Sequence, residues 1–201
     1  MSWANLIHLG DLPLTMAAAA AALAWMVASR IWRLAFWWSV LFLLAIALVT
    51  ATKVAFLVWG ASSPMPEFRA LSGHATGATA VCVIVLYLAA HAYASPMRSA
   101  GILTGLALGA MMGLLLVLND EHSVAEAAAG WSVGALASVG AIHLAGEVHA
   151  PVATAPISML WAGAVFLACT VLLRQLPIGY LMWRVAKVVA RHAGALAIVG
   201  V

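Results

Sequence analysis

The chain alternates between long apolar runs and short polar breaks, and six of the runs are long enough to cross a bilayer. A membrane-spanning helix needs about 20 mostly apolar residues. The breaks contain prolines and charged residues that end or separate helices. Because backbone groups in lipid must be hydrogen bonded within their own segment, each run is predicted to be a helix. The six predicted spans are Leu12–Ser29, Leu34–Trp59, Ser72–Tyr93, Ser99–Leu118, His122–Leu144 and Thr154–Leu173.

Composition supports a membrane protein. Of the 201 residues, 66% are hydrophobic and 7% are charged, whereas soluble domains carry about 25% charged residues. A water-soluble domain of this length could not bury so much apolar surface, so the predicted fold class is an all-α integral membrane bundle. The start of the chain does not resemble a cleaved signal peptide, because residues 1–11 contain no Lys or Arg and the first apolar run continues into a full span.

The last part of the chain has a different pattern. Residues 1–174 are predicted to form the transmembrane helical domain, and residues 175–201 a basic amphipathic segment. Arg184, Lys187 and Arg191 recur at spacings that place them on one helical face, opposite apolar side chains. Such a helix is typical of the interface with anionic lipid. Membrane lipids are therefore the expected partners of this segment, and nucleic acid is not.

The basic residues of the short loops indicate an orientation. Arg30 and Arg33 lie between the first two predicted spans, and Arg98 lies between the third and fourth. Basic loops favour the cytoplasm, which puts the starts of the third and fifth spans at the periplasmic face of a bacterial inner membrane. The basic segment 175–201 favours the reverse orientation, since six spans would bring it to the periplasmic side.

Candidate chemistry is concentrated at the starts of the third and fifth spans. Ser72, Gly73 and His74 begin the third span, and His122 precedes Glu126 by one helical turn in the fifth. Residues four apart share a helix face, so His122 and Glu126 are expected to interact. Ionisable groups at membrane depth are costly and are functional candidates for that reason. A carboxylate that orients an imidazole is a common way to activate a histidine.

Together with Lys53, these residues resemble the motifs of the type 2 phosphatidic acid phosphatase superfamily. The superfamily pattern is a Lys followed by Arg-Pro, then Pro-Ser-Gly-His, then Ser-Arg-x5-His-x3-Asp. The corresponding residues are Lys53, Leu71-Ser72-Gly73-His74 and His122-x3-Glu126, followed by Gly130. The resemblance covers the chain from Lys53 to Gly134. Members are helical membrane bundles that hydrolyse phosphate or pyrophosphate esters, mostly of lipids, through a phosphohistidine.

The resemblance implies a role for each matching residue. His122 would be the nucleophile that attacks phosphorus, and Glu126 would orient its imidazole and stabilise its positive charge. His74 would protonate the leaving oxygen and then activate water. The implied ligands of the phosphate oxygens are Lys53, Ser72 and Gly73. No metal and no cofactor are implied, and the substrate would be a lipid phosphate or lipid pyrophosphate.

The chain departs from the superfamily pattern at its cationic positions. Gly60 and Leu116 stand where the pattern has arginines, and Glu126 replaces an Asp. Arg69, three residues before Ser72, is the candidate for a substitute cation. Because phosphoryl transfer depends on charge stabilisation of the transferring oxygens, a second hypothesis is a degenerate member without turnover. Such a protein would bind lipid head groups or serve as a subunit of a membrane complex.

Other interpretations of the same residues stay open. Ser72 is also a suitable N-cap for the third helix. Transport or proton relay through His74, His122 and Glu126 is a third functional hypothesis. Histidines near both ends of the third and fifth spans also suit axial haem ligation, and these are His74, His91, His122 and His143.

Two rows of glycines recur at four-residue spacing. They are Gly101-x3-Gly105-x3-Gly109 and Gly130-x3-Gly134. Small residues at this spacing allow helices to approach closely in a membrane. We predict that both rows pack inside the bundle, with assembly into a homo-oligomer as the alternative.

Overall fold

A computed structural model describes residue 8 and residues 10–59, 68–90, 95–146, 156–173 and 178–192. Within these residues the secondary structure is entirely helical, which confirms the predicted all-α class. The seven helices are α1 (Leu12–Ala28), α2 (Trp32–Trp59), α3 (Gly73–Ala90), α4 (Ser95–Leu118), α5 (Val124–Ala145), α6 (Pro156–Leu173) and α7 (Ile178–His192).

Four helices, α2, α3, α4 and α5, are long and apolar enough to cross a membrane. Four of the six predicted spans therefore meet this criterion. The other two apolar helices are shorter, since α1 has 17 residues and the apolar part of α6 is Leu160–Leu173. The chain is thus a multi-pass membrane protein with at least four candidate spans in its described part.

The outer surface of the bundle is covered with large apolar side chains. Leu43 on α2, Leu103 on α4 and Leu136 on α5 are exposed by 59%, 65% and 72%. Soluble monomers rarely expose continuous apolar surface of this extent. These side chains suit contact with lipid.

Helix α3 lies at the centre of the bundle, where it packs against α1, α2, α4 and α5. The contact between α3 and α5 is very close because α5 presents glycines to it. A Cβ on Gly130 would lie 2.5 Å from the carbonyl oxygen of Ser72, and a Cβ on Gly134 would overlap the carbonyl of Thr76. Only glycine allows the two backbones to approach this far.

The glycines of α4 likewise allow a close contact with α3, on another side of that helix. A Cβ on Gly101 or Gly105 would lie 2.7 Å from the backbone of Leu86 and 2.5 Å from that of Val83, respectively. Both glycine rows therefore pack within the bundle, as predicted.

The main core lies toward the other end of α3 and contains Trp38, Ile84 and Leu88 among its buried side chains. Trp38 donates a hydrogen bond to Ser138 Oγ at 3.4 Å, and that hydroxyl donates to the carbonyl of Ala80 at 2.6 Å. These bonds satisfy buried polar groups. They also fix the lengthwise register of α2, α3 and α5, which positions the starts of α3 and α5 side by side.

The basic helix α7 packs on α2, where Ala186 and Ala190 are buried against Val54 and Val58. Met182 reaches a cavity beside Lys53. Beside this buried face of α7, Lys187 Nζ lies 3.4 Å from the ring centroid of Trp183, a cation–π contact. The described part of the segment is thus amphipathic. Part of its apolar face packs on α2, and other apolar side chains, such as Val185 and Val188, are exposed.

Candidate functional site

A tight turn between α4 and α5 positions His122. Asp120 adopts the left-handed conformation, with φ 56°, which Asp tolerates better than most residues. The amide of Glu121 then donates to the Leu116 carbonyl at 3.0 Å, an arrangement that ends a helix. Three residues after Asp120, Ser123 caps α5 and accepts a hydrogen bond from the amide of Glu126 at 3.3 Å. His122 is thereby held immediately before the first turn of α5.

Glu126 and His122 form the predicted pair. His122 Nδ1 donates to Glu126 Oε2 at 2.9 Å, and the amide of Ser123 donates to the same oxygen at 3.0 Å. Glu126 is only 3% exposed, and the His122 side chain is 16% exposed. The carboxylate therefore fixes the imidazole orientation, and Nε2 of His122 is the ring nitrogen left available.

The other oxygen of Glu126 organises the segment that leads into α3. The amides of Arg69 and Ala70 donate to Glu126 Oε1 at 2.5 and 3.1 Å. The amide of Leu71 donates to Thr52 Oγ1 at 3.2 Å, and the amide of Ser72 to the Glu126 carbonyl at 3.3 Å. Four consecutive amides are thus satisfied by α2 and α5. One buried carboxylate links the His122 turn to the start of α3.

Ser72 lies at this junction and is fully buried. Its hydroxyl oxygen accepts a hydrogen bond from the Ala75 amide at 3.3 Å, which is the N-cap arrangement considered from the sequence. Its carbonyl accepts from the hydroxyl of Thr76 at 2.8 Å. The observed function of Ser72 is therefore to cap α3, and phosphate binding by its side chain stays a prediction.

His74 has a carboxylate partner of its own, Asp11, which is not among the predicted site residues. His74 Nε2 donates to Asp11 Oδ1 at 3.1 Å, and Asp11 Oδ2 accepts from His8 Nδ1 at 3.2 Å. Gly10 is buried against the ring, since a Cβ on it would lie 3.1 Å from His74 Cδ2. The only signal in the sequence was the position of Asp11 at the start of the first span, on the predicted face of the site.

Lys53 and His74 line one small cavity. Its volume is about 130 Å³, and its walls also include Thr50 of α2, Gly73 of α3 and Met182 of α7. A Cβ on Gly73 would lie 3.9 Å from Lys53 Nζ. Lys53 makes no hydrogen bond or ion pair shorter than 4.0 Å with another described residue, although it lies close enough to Glu126 for a favourable charge interaction.

The remaining candidate cation, Arg69, is placed differently. Its side chain is exposed and makes no ion pair with a described residue, while its backbone amide is bound by Glu126. Leu116, where the resemblance implies an arginine, is 1% exposed and packs in an apolar cluster with Ala75 and Met112. No cation therefore occupies that place.

The predicted site residues accordingly fall into two adjoining groups at one end of the bundle. The first group is His122, Glu126, Arg69 and Ser72, and the second is Lys53, Gly73 and His74. The segment Arg69–His74 connects them. His91 and Gly60 lie outside the described residues, and His143 is exposed near the far end of α5. Among the residues that the structure describes, no group of three His, Cys, Asp or Glu side chains could hold a metal ion.

Comparison with known proteins identifies a relative of this chain. The chain is 32% identical over 139 residues to an "uncharacterized 22.5 kDa protein in cps region" of Klebsiella pneumoniae, an alignment that covers 69% of this chain and 66% of that protein. The chain thus spans slightly less than two thirds of that relative's length. No protein-family model matches the chain, and no solved structure matches it.

Proposed function

We propose that this protein is a phosphatase of lipid phosphates or lipid pyrophosphates that acts through a phosphohistidine, in the manner of the type 2 phosphatidic acid phosphatase superfamily. The observation that carries the proposal is the buried pair of His122 and Glu126, with 2.9 Å between Nδ1 and Oε2. A pair of this kind activates an imidazole for nucleophilic attack, because the carboxylate fixes the tautomer and stabilises the cation that forms.

In the proposed reaction, His122 Nε2 attacks phosphorus and the bond from phosphorus to the leaving oxygen breaks. The leaving oxygen takes a proton from His74. A water molecule then gives a proton to His74 while its oxygen attacks phosphorus, and the bond from phosphorus to His122 breaks. Inorganic phosphate is released and both histidines return to their starting states. Glu126 stays ionised throughout.

The cavity lined by Lys53, Gly73 and His74 supports phosphate binding at His74. Lys53 of α2 lines this cavity together with Gly73 and His74, the first two residues of α3, so a basic side chain and a helix N-terminus lie at one place. A helix N-terminus favours anions because its first amides lack helical partners and the helix dipole is positive there. Phosphoryl transfer depends mainly on positioning and on charge stabilisation of this kind.

An apolar groove between α4 and α5 supports a lipid substrate over a water-soluble one. Its volume is about 300 Å³, and Gly113, Val124, Ala127 and Trp131 are among its lining residues. Val124 is the first residue of α5, so one end of the groove lies in the first turn of the helix that also carries Glu126. A substrate could place its hydrocarbon chain in the groove while its head group meets His122.

The proposed location is the inner membrane of a bacterium, with the site at the periplasmic face. The starts of α3 and α5 lie together. At the other end of the bundle, Arg30 lies between α1 and α2, Arg33 in the first turn of α2 and Arg98 in the first turn of α4. The positive-inside rule therefore favours a cytoplasmic position for those arginines.

A second candidate function is supported by the surroundings of Leu116. An apolar side chain fills the position of a superfamily arginine, and the Arg69 side chain is exposed and makes no ion pair with a described residue. Loss of one preorganised charge-stabilising donor lowers turnover by about 100- to 1,000-fold in other enzymes. The alternative is a protein that binds lipid head groups without hydrolysis, or a subunit of a membrane complex.

Phosphate release by the purified full-length protein in detergent, without added metal, separates the two candidates. The substrates are phosphatidic acid, phosphatidylglycerol phosphate and an isoprenyl pyrophosphate. We expect turnover by wild type, none by His122→Ala or His74→Ala, and weaker phosphate binding by Lys53→Ala. His143→Ala is the matched control, because it removes an exposed histidine from the opposite end of α5.

Phosphate release by His122→Ala at the wild-type rate would rule out the phosphohistidine mechanism. If the folded wild type is silent on all three substrates, the second candidate is favoured. In that case, lipid that stays bound through purification, or a stable membrane partner, is the expected finding.

A further inference from the structure

We propose that Asp11 is a positioning residue for His74, so that the site contains two separate pairs of histidine and carboxylate. The inference rests on the proposed phosphatase function and extends it to a residue outside the superfamily motifs. Its basis is the bond of 3.1 Å from His74 Nε2 to Asp11 Oδ1. It parallels the bond from His122 to Glu126, with the roles of the two ring nitrogens exchanged.

The geometry determines which nitrogen of His74 acts on the substrate. Nε2 is engaged by Asp11, and Gly10 covers the adjoining Cδ2 edge of the ring, where a Cβ would lie 3.1 Å away. Nδ1 has no hydrogen bond to a described residue. Since His74 lines the cavity that also holds Lys53, Nδ1 is the nitrogen that meets the leaving oxygen.

Proton transfer at His74 then balances with Asp11 ionised at every stage. Doubly protonated His74 gives its Nδ1 proton to the leaving oxygen and keeps the proton on Nε2, which stays hydrogen bonded to the Asp11 carboxylate. In the second step Nδ1 takes a proton from the attacking water. A carboxylate behind the imidazole holds the productive orientation and stabilises the imidazolium form, which is present before the first step and is restored by the second.

Residues from the start of α1, from α2 and from α4 lie around His74. Asp11 contacts it from the start of α1, Lys53 shares its cavity from α2, and Met112 of α4 lies beside Gly10. His8 reaches His74 only through Asp11. Asp11 is therefore the one carboxylate bonded to this ring among the described residues.

Asp11 can be substituted with little direct cost to α1. It occupies the N-cap position, but its side chain makes no capping hydrogen bond. Replacement by Ala thus removes the bond to His74 without removing a cap. Thermal unfolding of each variant in detergent serves as the check that it is folded.

The test measures kcat and KM for phosphate release from short-chain phosphatidic acid by the full-length protein. We expect Asp11→Ala to lower kcat by about 10- to 100-fold with KM changed by less than about threefold, because general acid–base catalysis depends on orientation. Asp11→Glu should recover part of the loss, since it keeps the carboxylate. His8→Ala removes the other partner of Asp11 and should keep kcat within about threefold of wild type.

A merely structural function of Asp11 predicts another pattern. Displacement of His74 would distort the cavity shared with Lys53 and raise KM, His8→Ala would lower activity in the same way, and Asp11→Glu would not restore kcat. That pattern, or an unchanged kcat in Asp11→Ala, overturns the inference while leaving the proposed function intact. A folded wild type that releases no phosphate overturns the proposed function, and this inference with it.

Discussion

The buried carboxylate of Glu126 connects the His122 turn with the segment that leads into α3. Its two oxygens accept hydrogen bonds from the His122 ring and from the amides of Ser123, Arg69 and Ala70. A buried charge is tolerated when its hydrogen bonds are complete. The same side chain therefore supports the fold and aligns the candidate nucleophile, and its replacement should affect both.

We expect Glu126→Gln to lower the free energy of unfolding by about 2–3 kcal/mol, because hydrogen bonds to charged groups are stronger than neutral ones and the amide NH2 would face N–H donors. The measurement is an unfolding titration of the purified protein from mild detergent into a denaturing one. Glu121→Gln is the matched control, since Glu121 is exposed and such changes stay within about 0.5 kcal/mol. Equal stability of the two variants would contradict this account of Glu126.

At the scale of elements, the site depends on the distance between α3 and α5. Gly130 lies directly against Ser72, so the spacing of the two backbones also sets the spacing between the His122 turn and the start of α3. Because Ser72 and Glu126 are joined through their backbones, a separation of these helices would break the hydrogen bond between them. The packing of α3 against α5 therefore also determines the geometry of the site.

Gly130→Ala should destabilise the protein by about 1–3 kcal/mol, because the new Cβ would collide with backbone atoms that cannot move freely. Gly163→Ala is the matched control on α6, where a Cβ would meet nothing within 4 Å. There the exchange should be neutral or stabilising by up to about 1 kcal/mol, as expected from helix propensity alone. Thermal unfolding of both variants in the same detergent compares them. Equal melting temperatures would show that α3 and α5 are not in close contact.

At the scale of the whole molecule, the four candidate spans form one bundle, and the starts of α3 and α5 lie at the same end of it. The opposite end holds the start of α4 and the connection from α1 to α2. Orientation in the membrane therefore decides which compartment the site faces.

We expect Glu121→Cys to react with a membrane-impermeant maleimide added outside spheroplasts, and Met97→Cys to react only after the membrane is opened. Both positions are exposed, and they lie at opposite ends of α4. The background carries Cys82→Ser and Cys169→Ser, because both native cysteines are free thiols. The reverse labelling pattern would place the site in the cytoplasm.

The sequence predicted those features that depend on local periodicity. Apolar runs predicted the helices, and the four-residue spacing of His122 and Glu126 predicted their pairing, because both follow from helix geometry. The bond between Asp11 and His74 joins residues 63 positions apart, and no local pattern encodes such a contact. The burial of Leu116 against Ala75 and Met112 was equally unpredictable, since an apolar residue at a helix end has no fixed neighbour until the bundle forms.

The bonds of Glu126 also have a consequence for biosynthesis. Its side chain binds the amide of Arg69, 57 positions earlier in the chain, and at about 5–20 residues per second that segment leaves the ribosome roughly 3–11 s before Glu126 does. During this interval the amides of Arg69, Ala70 and Ser72 lack their native acceptors. The start of α3 therefore reaches its final form only after α5 has joined the bundle, so a nascent chain that stops before Glu126 retains an unfinished site.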